Sequence, residues 1–566
     1  MPRGAEAPRL APAAPSGLLA RVPEAVVALL LATCLWHGLS TTAGLAYPPD
    51  EDMLRDMGAA QALLDGNLFG DPTYSGEWRW YPPLVPALMA GLYRLSGADG
   101  LARFWVAAGP WLNLLAPLLL FLMGRRLIGA PAAAIATAIL VVFNGALSEP
   151  WQAGGYSPWA FTPFLVQGMF FAGLWLLHAR VATARWRDAA LIGLVIGLVF
   201  LAHAVPALLL ATAATLAALA VQGLRWRTLL WIGLVGAVAL LIGLPYLAPI
   251  ALHYPGGPVN PLVTGYVDWL LKPPPRLWLL VVNAPGLAGL LATAVLWRRA
   301  PLGRATTAIL AAWIGICVLF LGRHYACAAL APTAGPGLTA CRVFAVAVHH
   351  YHLYLQLAWT LLMGHVAWQV ARLWAVRLRE GGRGAVPWRA GLAAGLALLL
   401  LAVGCRSVLR RPFDRERRAS VLAGTANWID ADLYRWVLAH TRPDTLFATE
   451  PATPWKDGRA FAVIAAGRKL VAAPAAHSNP FLLWAPRDAR RRAVLAAAAG
   501  EGPVAPLCEG APLLVLGRES PAAPARVEAV LATPWNTLYR PRPEICRTEE
   551  APEADQHSAS AAAPRP

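Results

Sequence analysis

The chain has 566 residues, 57% of them hydrophobic and only 14% charged, against roughly 25% charged residues in soluble globular domains. That excludes a soluble fold and implies a polytopic membrane protein. The formal charge of +17 is almost all arginine and falls in short clusters between apolar runs, so it reads as a topology signal and argues against nucleic acid as a partner.

The leader, MPRGAEAPRLAPAAPSGLLARVPEA, resembles the basic n-region of a signal peptide, with TTAGLAY as a candidate cleavage site. The apolar run from Ala25 to Tyr47 is nevertheless long enough to cross a bilayer and predicts an uncleaved signal anchor behind a cytoplasmic segment 1–24. Windows able to cross about 30 Å of hydrocarbon give about eleven spans, near 25–46, 102–123, 130–147, 158–178, 187–202, 205–222, 228–250, 276–297, 305–322, 345–371 and 388–406. The short segment 83–97 opens with Pro82-Pro83 and predicts a juxtamembrane helix. With the N-terminus inside, every inner loop is basic, from Arg125-Arg126 through Arg180, Arg185 and Arg187 to Arg372, Arg377 and Arg389. The loop 47–101 and everything after Cys405 then face outward.

From about Pro412 the apolar runs give way to alternating helical and strand-like segments, which predict a small α/β domain over 412–550. The Ala, Ser and Pro rich stretch 551–566 predicts a disordered tail. The expected fold is therefore a polytopic α-helical membrane domain, 25–406, with a small outward-facing α/β C-terminal domain. Cys327 and Cys341 share one outer loop, and Cys508 and Cys546 share the outward domain. An oxidising compartment would let both pairs form disulfides, with chance spacing as the alternative.

The polar stretch Tyr47 to Leu88 interrupts the apolar first third of the chain. It holds Asp50, Glu51, Asp52, Asp56, Asp65, Asp71 and Glu77, together with Arg55, Arg79 and several aromatics. Acids after Pro48-Pro49 suit the first turn of a helix, and DEDMLRDMGAAQALLDG reads as a helix ending at glycine. Helix formation alone does not explain why charge is retained directly beside hydrocarbon. A second cluster, with Arg342, His349, His350 and His352, opens the tenth span. An interfacial aromatic belt is the plain alternative there, as it is for SEPWQAGGYSPWAF with Trp151 and Tyr156. His349 and His352 stand i, i+3 on a helix, which leaves a divalent metal as an open alternative, but no further ligand is evident, so none is indicated and no cofactor is assigned.

In chain order stand a DE pair directly after the first span, a helix ending in LLDGN, a DPxYxGE turn, an aromatic-Pro-Pro-Leu segment, and a span ending in GRRLIG. This series resembles the polyprenyl-phosphate-sugar-dependent glycosyltransferases of the GT-C superfamily. The nearest branch is that of the protein O-mannosyltransferases and lipid A aminoarabinose transferases. The likeness is dense over 25–160 and architectural beyond. It implies an inverting transfer from a polyprenyl-phosphate sugar to a hydroxyl of a glycan, lipid or protein acceptor, at the outer face of a plasma membrane, with an acid of the first outer loop as general base. Asp50 matches the family's catalytic position best. Counting back from LLDGN shifts the register by one, so Glu51 stays open and Asp52 is the second choice. Candidate phosphate contacts are Arg79, Arg342, His349 and His350, and Trp151 and Tyr156 would line the sugar or donor path. The aminoarabinose branch carries a lysine directly before the two prolines. Tyr81 stands there in this chain, so that phosphate contact does not carry over. Two rival classes are a transporter or lipid flippase, disfavoured by the few charges within spans and the large outward domain, and a non-catalytic envelope-assembly scaffold.

Overall fold

The computed structural model describes residues 21–146, 155–259, 277–297, 301–334, 349–380, 412–422, 429–451 and 458–547. Trp151, Arg342, Cys341, the expected span at 388–406 and the expected tail at 551–566 lie outside them.

The apolar runs fold as helices because a helix satisfies its own backbone groups where no water can. They are α1 (Val22–Thr42), α2 (Glu51–Leu64), α3 (Leu84–Ser96), α4 (Leu101–Leu112), α5 (Leu115–Ile128), α6 (Ala130–Ala146), α7 (Thr162–Arg180), α8 (Trp186–Ala202), α9 (Ala204–Gln222), α10 (Trp226–His253), α11 (Leu277–Leu296), α12 (Arg304–Ala334) and α13 (His349–Glu380). Among the described residues, 6 helical segments are long and apolar enough to cross a bilayer, and the chain is a multi-pass membrane protein. The hydropathy window at 102–123 falls within the candidate span Leu101–Ile128, which is made of the two successive helices α4 and α5. They part at Asn113, whose buried amide donates to the carbonyls of Ser157 (2.8 Å) and Trp159 (2.5 Å). The 187–222 region parts at His203, which has an extended backbone and whose Nδ1 accepts the Val205 amide at 3.2 Å, capping α9.

The basic helix ends gather on one side. Arg125 pairs with Glu24 at 3.3 Å, Thr306 Oγ1 lies 3.2 Å from His178 Nε2, and Gln222 Nε2 donates to the Val181 carbonyl at 2.7 Å. At the other end sits the C-terminal α/β unit. It comprises α14 (Pro412–Leu422), α15 (Ala431–His440), β1 (Leu446–Thr449), α16 (Gly458–Ala465), β2 (Lys469–Leu470), α17 (Trp484–Ala498), α18 (Ala505–Cys508), β3 (Leu513–Gly517), β4 (Val527–Ala532), β5 (Asn536–Pro541) and α19 (Pro543–Arg547). Its 5-stranded sheet has the order β2-β1-β3-β5-β4, with β1 parallel to β2 and β3, and the remaining pairs antiparallel. Cys508 and Cys546 form a disulfide that ties α18 to α19, with Cα atoms 5.4 Å apart.

The acid-rich loop and this domain interlock. Gly58 of α2 packs against the backbone of Ile464 in α16 so closely that a Cβ would meet the Ile464 carbonyl oxygen at 1.9 Å. Arg468 pairs with Asp65 at 2.7 Å, and the Leu470 amide donates to the Thr73 carbonyl at 2.8 Å. Asn479 Nδ2 donates to Asp71 Oδ2 at 3.0 Å, Tyr74 and Ser478 share a hydroxyl hydrogen bond of 2.7 Å, and Arg487 pairs with Glu77 at 2.7 Å. The acids after Asp56 thus hold the loop to the C-terminal domain, a role that their positions in the sequence did not reveal.

Candidate functional site

The structure gives the three acids of the Asp50-Glu51-Asp52 run different environments. Asp50 is the N-cap of α2: its Oδ1 accepts the Asp52 amide at 3.0 Å, as an extended residue after a Pro-Pro pair is placed to do. Its Oδ2 is taken by Arg417 of α14 at 2.6 Å. Burial raises its proton affinity against the pull of that guanidinium. Glu51 is buried too, and its Oε2 has no hydrogen-bond partner among the described residues. Burial first, then the neighbouring Asp50 and Asp52 charges, push its carboxyl up to about 9, so it is protonated at neutral pH.

Asp52 differs from both, because 49% of its side chain is exposed. Its Oδ1 accepts from Arg55 Nη1 at 2.7 Å and lies 3.4 Å from His477 Nε2. Burial in the surrounding recess opposes its charge, but Arg55 and His477 outweigh that and hold the carboxyl well below the ordinary carboxylate range. Asp52 is therefore an ionised and open carboxylate.

Arg55 is itself fixed. Its Nε and Nη2 donate to Asp56 Oδ1 at 3.0 and 2.8 Å, and Nη2 also donates to the Tyr81 hydroxyl at 2.9 Å. The guanidinium lies 4.1 Å from the Tyr81 ring centroid. Asp56 Oδ2 accepts from Thr162 Oγ1 of α7 at 2.5 Å, which anchors the set to the membrane domain. Tyr81, at the position where the aminoarabinose branch has lysine, thus supports the arginine that holds Asp52.

The other predicted residues divide. His349 and His350 open α13 with ring centroids 4.1 Å apart, and His350 stands 4.4 Å from His203. His352 faces Asn283 and Gln356, 3.2 Å from each, within the helix packing. Arg79 is buried at the base of the hairpin bridged by Gly70 and Trp78. Its Nη2 donates to the Asn67 carbonyl at 3.0 Å, and the carboxylate that acts on it is Asp71 rather than Asp52. Tyr156 packs with Leu30, Cys34, Ala138 and Val141, and its hydroxyl abuts Gly38 of α1. No group of three or more His, Cys, Asp or Glu suited to a metal occurs among the described residues.

Two contributors carried no local signal. His477 lies in a single helical turn, Ala475–His477, after β2. Arg417 shares one face of α14 with Asp414, whose two oxygens take His37 Nε2 of α1 at 2.9 Å and the Trp159 indole at 3.0 Å. The sequence PFDRERRAS has the i, i+3 spacing of that face, but its partners stand more than 250 residues away.

No family model and no curated protein matches the chain. Among solved structures it is similar to ArnT from Cupriavidus metallidurans bound to undecaprenyl phosphate, with a TM-score of 0.53 and 13% identity over 92% of this chain and 98% of that one. It is similar to the same protein in the apo state, with a TM-score of 0.52 and 14% identity over 92% and 99%. At this identity the likeness speaks to the fold alone, which the two chains share over nearly their whole lengths.

Proposed function

We propose that the protein is an integral-membrane inverting glycosyltransferase that moves a sugar from a polyprenyl-phosphate donor to an acceptor hydroxyl outside the membrane. The observation that carries this reading is Asp52, a half-open, ionised carboxylate in a recess built from a GT-C fold's first outer loop, the start of α13 and the C-terminal domain. Both of its fixed partners act on Oδ1, so Oδ2 is the atom turned to the acceptor. It takes the hydroxyl proton as the oxygen attacks the anomeric carbon, and the bond from that carbon to the lipid phosphate breaks on the opposite face. His349 and His350, adjacent at the start of α13, are our candidate donors to the lipid phosphate. ArnT, one structural neighbour, was crystallised with undecaprenyl phosphate.

The test is turnover. Purified protein in lipid is offered undecaprenyl-phosphate-linked hexoses, pentoses and aminopentoses, and release of undecaprenyl phosphate is followed. Consumption of at least one donor is expected. Failure with all of them, together with no binding of undecaprenyl phosphate, would return the chain to the transporter and scaffold classes.

Sidedness has its own test. The basic helix ends lie together, away from the acidic loop and the disulfide, and a disulfide fits an oxidising compartment. After reduction, an impermeant maleimide should label Cys508 and Cys546 in intact cells. Labelling only after lysis would invert the topology.

A further inference from the structure

We infer that His477 is a positioning residue for Asp52, so that the site is complete only when the C-terminal domain is docked on the acid-rich loop. This rests on the reading of Asp52 as the base. His477 Nε2 faces Asp52 Oδ1 at 3.4 Å, across 425 positions of sequence. That separation is longer than an ordinary hydrogen bond, as contacts in ligand-free active sites often are before substrate tightens them. The imidazole is 8% exposed and stands edge-on to Phe461 of α16, 5.1 Å between centroids at 88°. Its Nδ1 has no hydrogen-bond partner among the described residues, so the ring is not spent on holding its own domain together.

What holds the ring in place is the segment around it. The Trp484 indole donates to the Ala473 carbonyl at 2.9 Å, the Ala473 amide donates to the Tyr74 hydroxyl at 3.0 Å, and Asn479 reaches Asp71. The loop that carries the base therefore fixes the turn that carries its partner. Arg55 and His477 approach the same oxygen from two domains, one from the helix of Asp52 itself and one from the far end of the chain. With Arg55 alone the carboxylate can swing about that one contact; the second donor fixes the plane in which Oδ2 meets the acceptor.

The variants that test this are His477→Ala, His477→Leu and His477→Gln, assayed with whichever undecaprenyl-phosphate sugar the wild type consumes. Alanine and leucine remove the donor, and leucine keeps bulk against Phe461. Glutamine keeps an N–H that can reach Asp52. Expected is a loss in kcat of about 10- to 100-fold for Ala and Leu with the donor KM little changed, the size of effect seen when an outer hydrogen-bond partner is removed. His477→Gln should recover to within a few-fold of wild type, which a purely structural role would not produce. Wild-type kcat in both Ala and Leu overturns the inference, as does a glutamine variant no better than alanine while its Cys508–Cys546 disulfide and thermal midpoint are intact. Absence of turnover in the wild type overturns the enzyme reading and this one with it, whereas an active wild type with indifferent variants overturns this one alone.

Discussion

Asp52→Asn should lower kcat by about 10²- to 10⁴-fold, the usual contribution of a positioned general base, while the protein still folds and still binds undecaprenyl phosphate. The argument is one of ionisation and access. Of the three adjacent carboxyls, Glu51 is protonated near neutral pH because burial and its neighbours push it up to about 9. Asp50 has its oxygens occupied by the Asp52 amide and by Arg417. Asp52 is held below the ordinary carboxylate range and has an oxygen to spare. Asp50→Asn should behave differently. Asparagine still caps α2, but Arg417 loses its carboxylate, so the loss falls on thermal stability rather than on turnover per folded molecule. Glu51→Gln should keep turnover. Because the folded value of Glu51 is raised, the stability linked to its proton is complete below the unfolded value of about 4.3 and is lost as pH rises through about 9. The glutamine variant should therefore melt higher than wild type at pH 8 to 9, with the difference fading toward pH 4. Normal turnover in Asp52→Asn with turnover abolished in Asp50→Asn would move the base to Asp50.

How far this site could be read from sequence depends on the range of the forces involved. Local rules reached α2 well: a Pro-Pro pair, an Asp at the cap, acids in the first turn and Gly66 with φ +92 after the last turn all lie within a few residues of one another. The pairing of Cys508 with Cys546 was also open to spacing and compartment. Ranking Asp50 against Asp52 was not, since both are aspartates beside the same helix start. What separates them is Arg417, and its partner lies hundreds of residues away. The same holds for Asp65, Asp71 and Glu77, whose partners Arg468, Asn479 and Arg487 all come from the C-terminal domain. Hydropathy likewise found the span at 102–123 but not the hydrogen bonds at its middle, because the amide of Asn113 and the carbonyls of Ser157 and Trp159 meet only in the folded chain.

Gly58→Ala should separate the loop from the C-terminal domain, and it does so through backbone. An alanine Cβ would stand 1.9 Å from the Ile464 carbonyl oxygen, 2.7 Å from its carbon and 3.3 Å from the Ala465 Cα, none of which belongs to a side chain that can turn away. The Ile464 carbonyl also accepts the Gly467 amide at 2.8 Å, and the next residues are tied by Arg468 to Asp65 and by Leu470 to Thr73. Helix α16 therefore cannot recede, and α2 must tilt. Overpacking of this kind costs about 1–3 kcal/mol or more. Both ends of α2 are held, by Asp65 on Arg468 and by Asp50 on Arg417 and Asp56 on Thr162, so the displacement strains these contacts together. Asp52 and His477 then draw apart, so kcat should fall together with stability. Gly91→Ala in α3 is the control, since nothing lies within 4 Å of its Cβ position and alanine favours helix by up to about 1 kcal/mol. The pair should thus move the thermal midpoint in opposite directions. Equal melting and equal kcat for the two variants would show that α2 and α16 do not depend on this contact. A Gly58→Ala protein that melts lower yet keeps full kcat would show that the base holds its geometry without the docked domain.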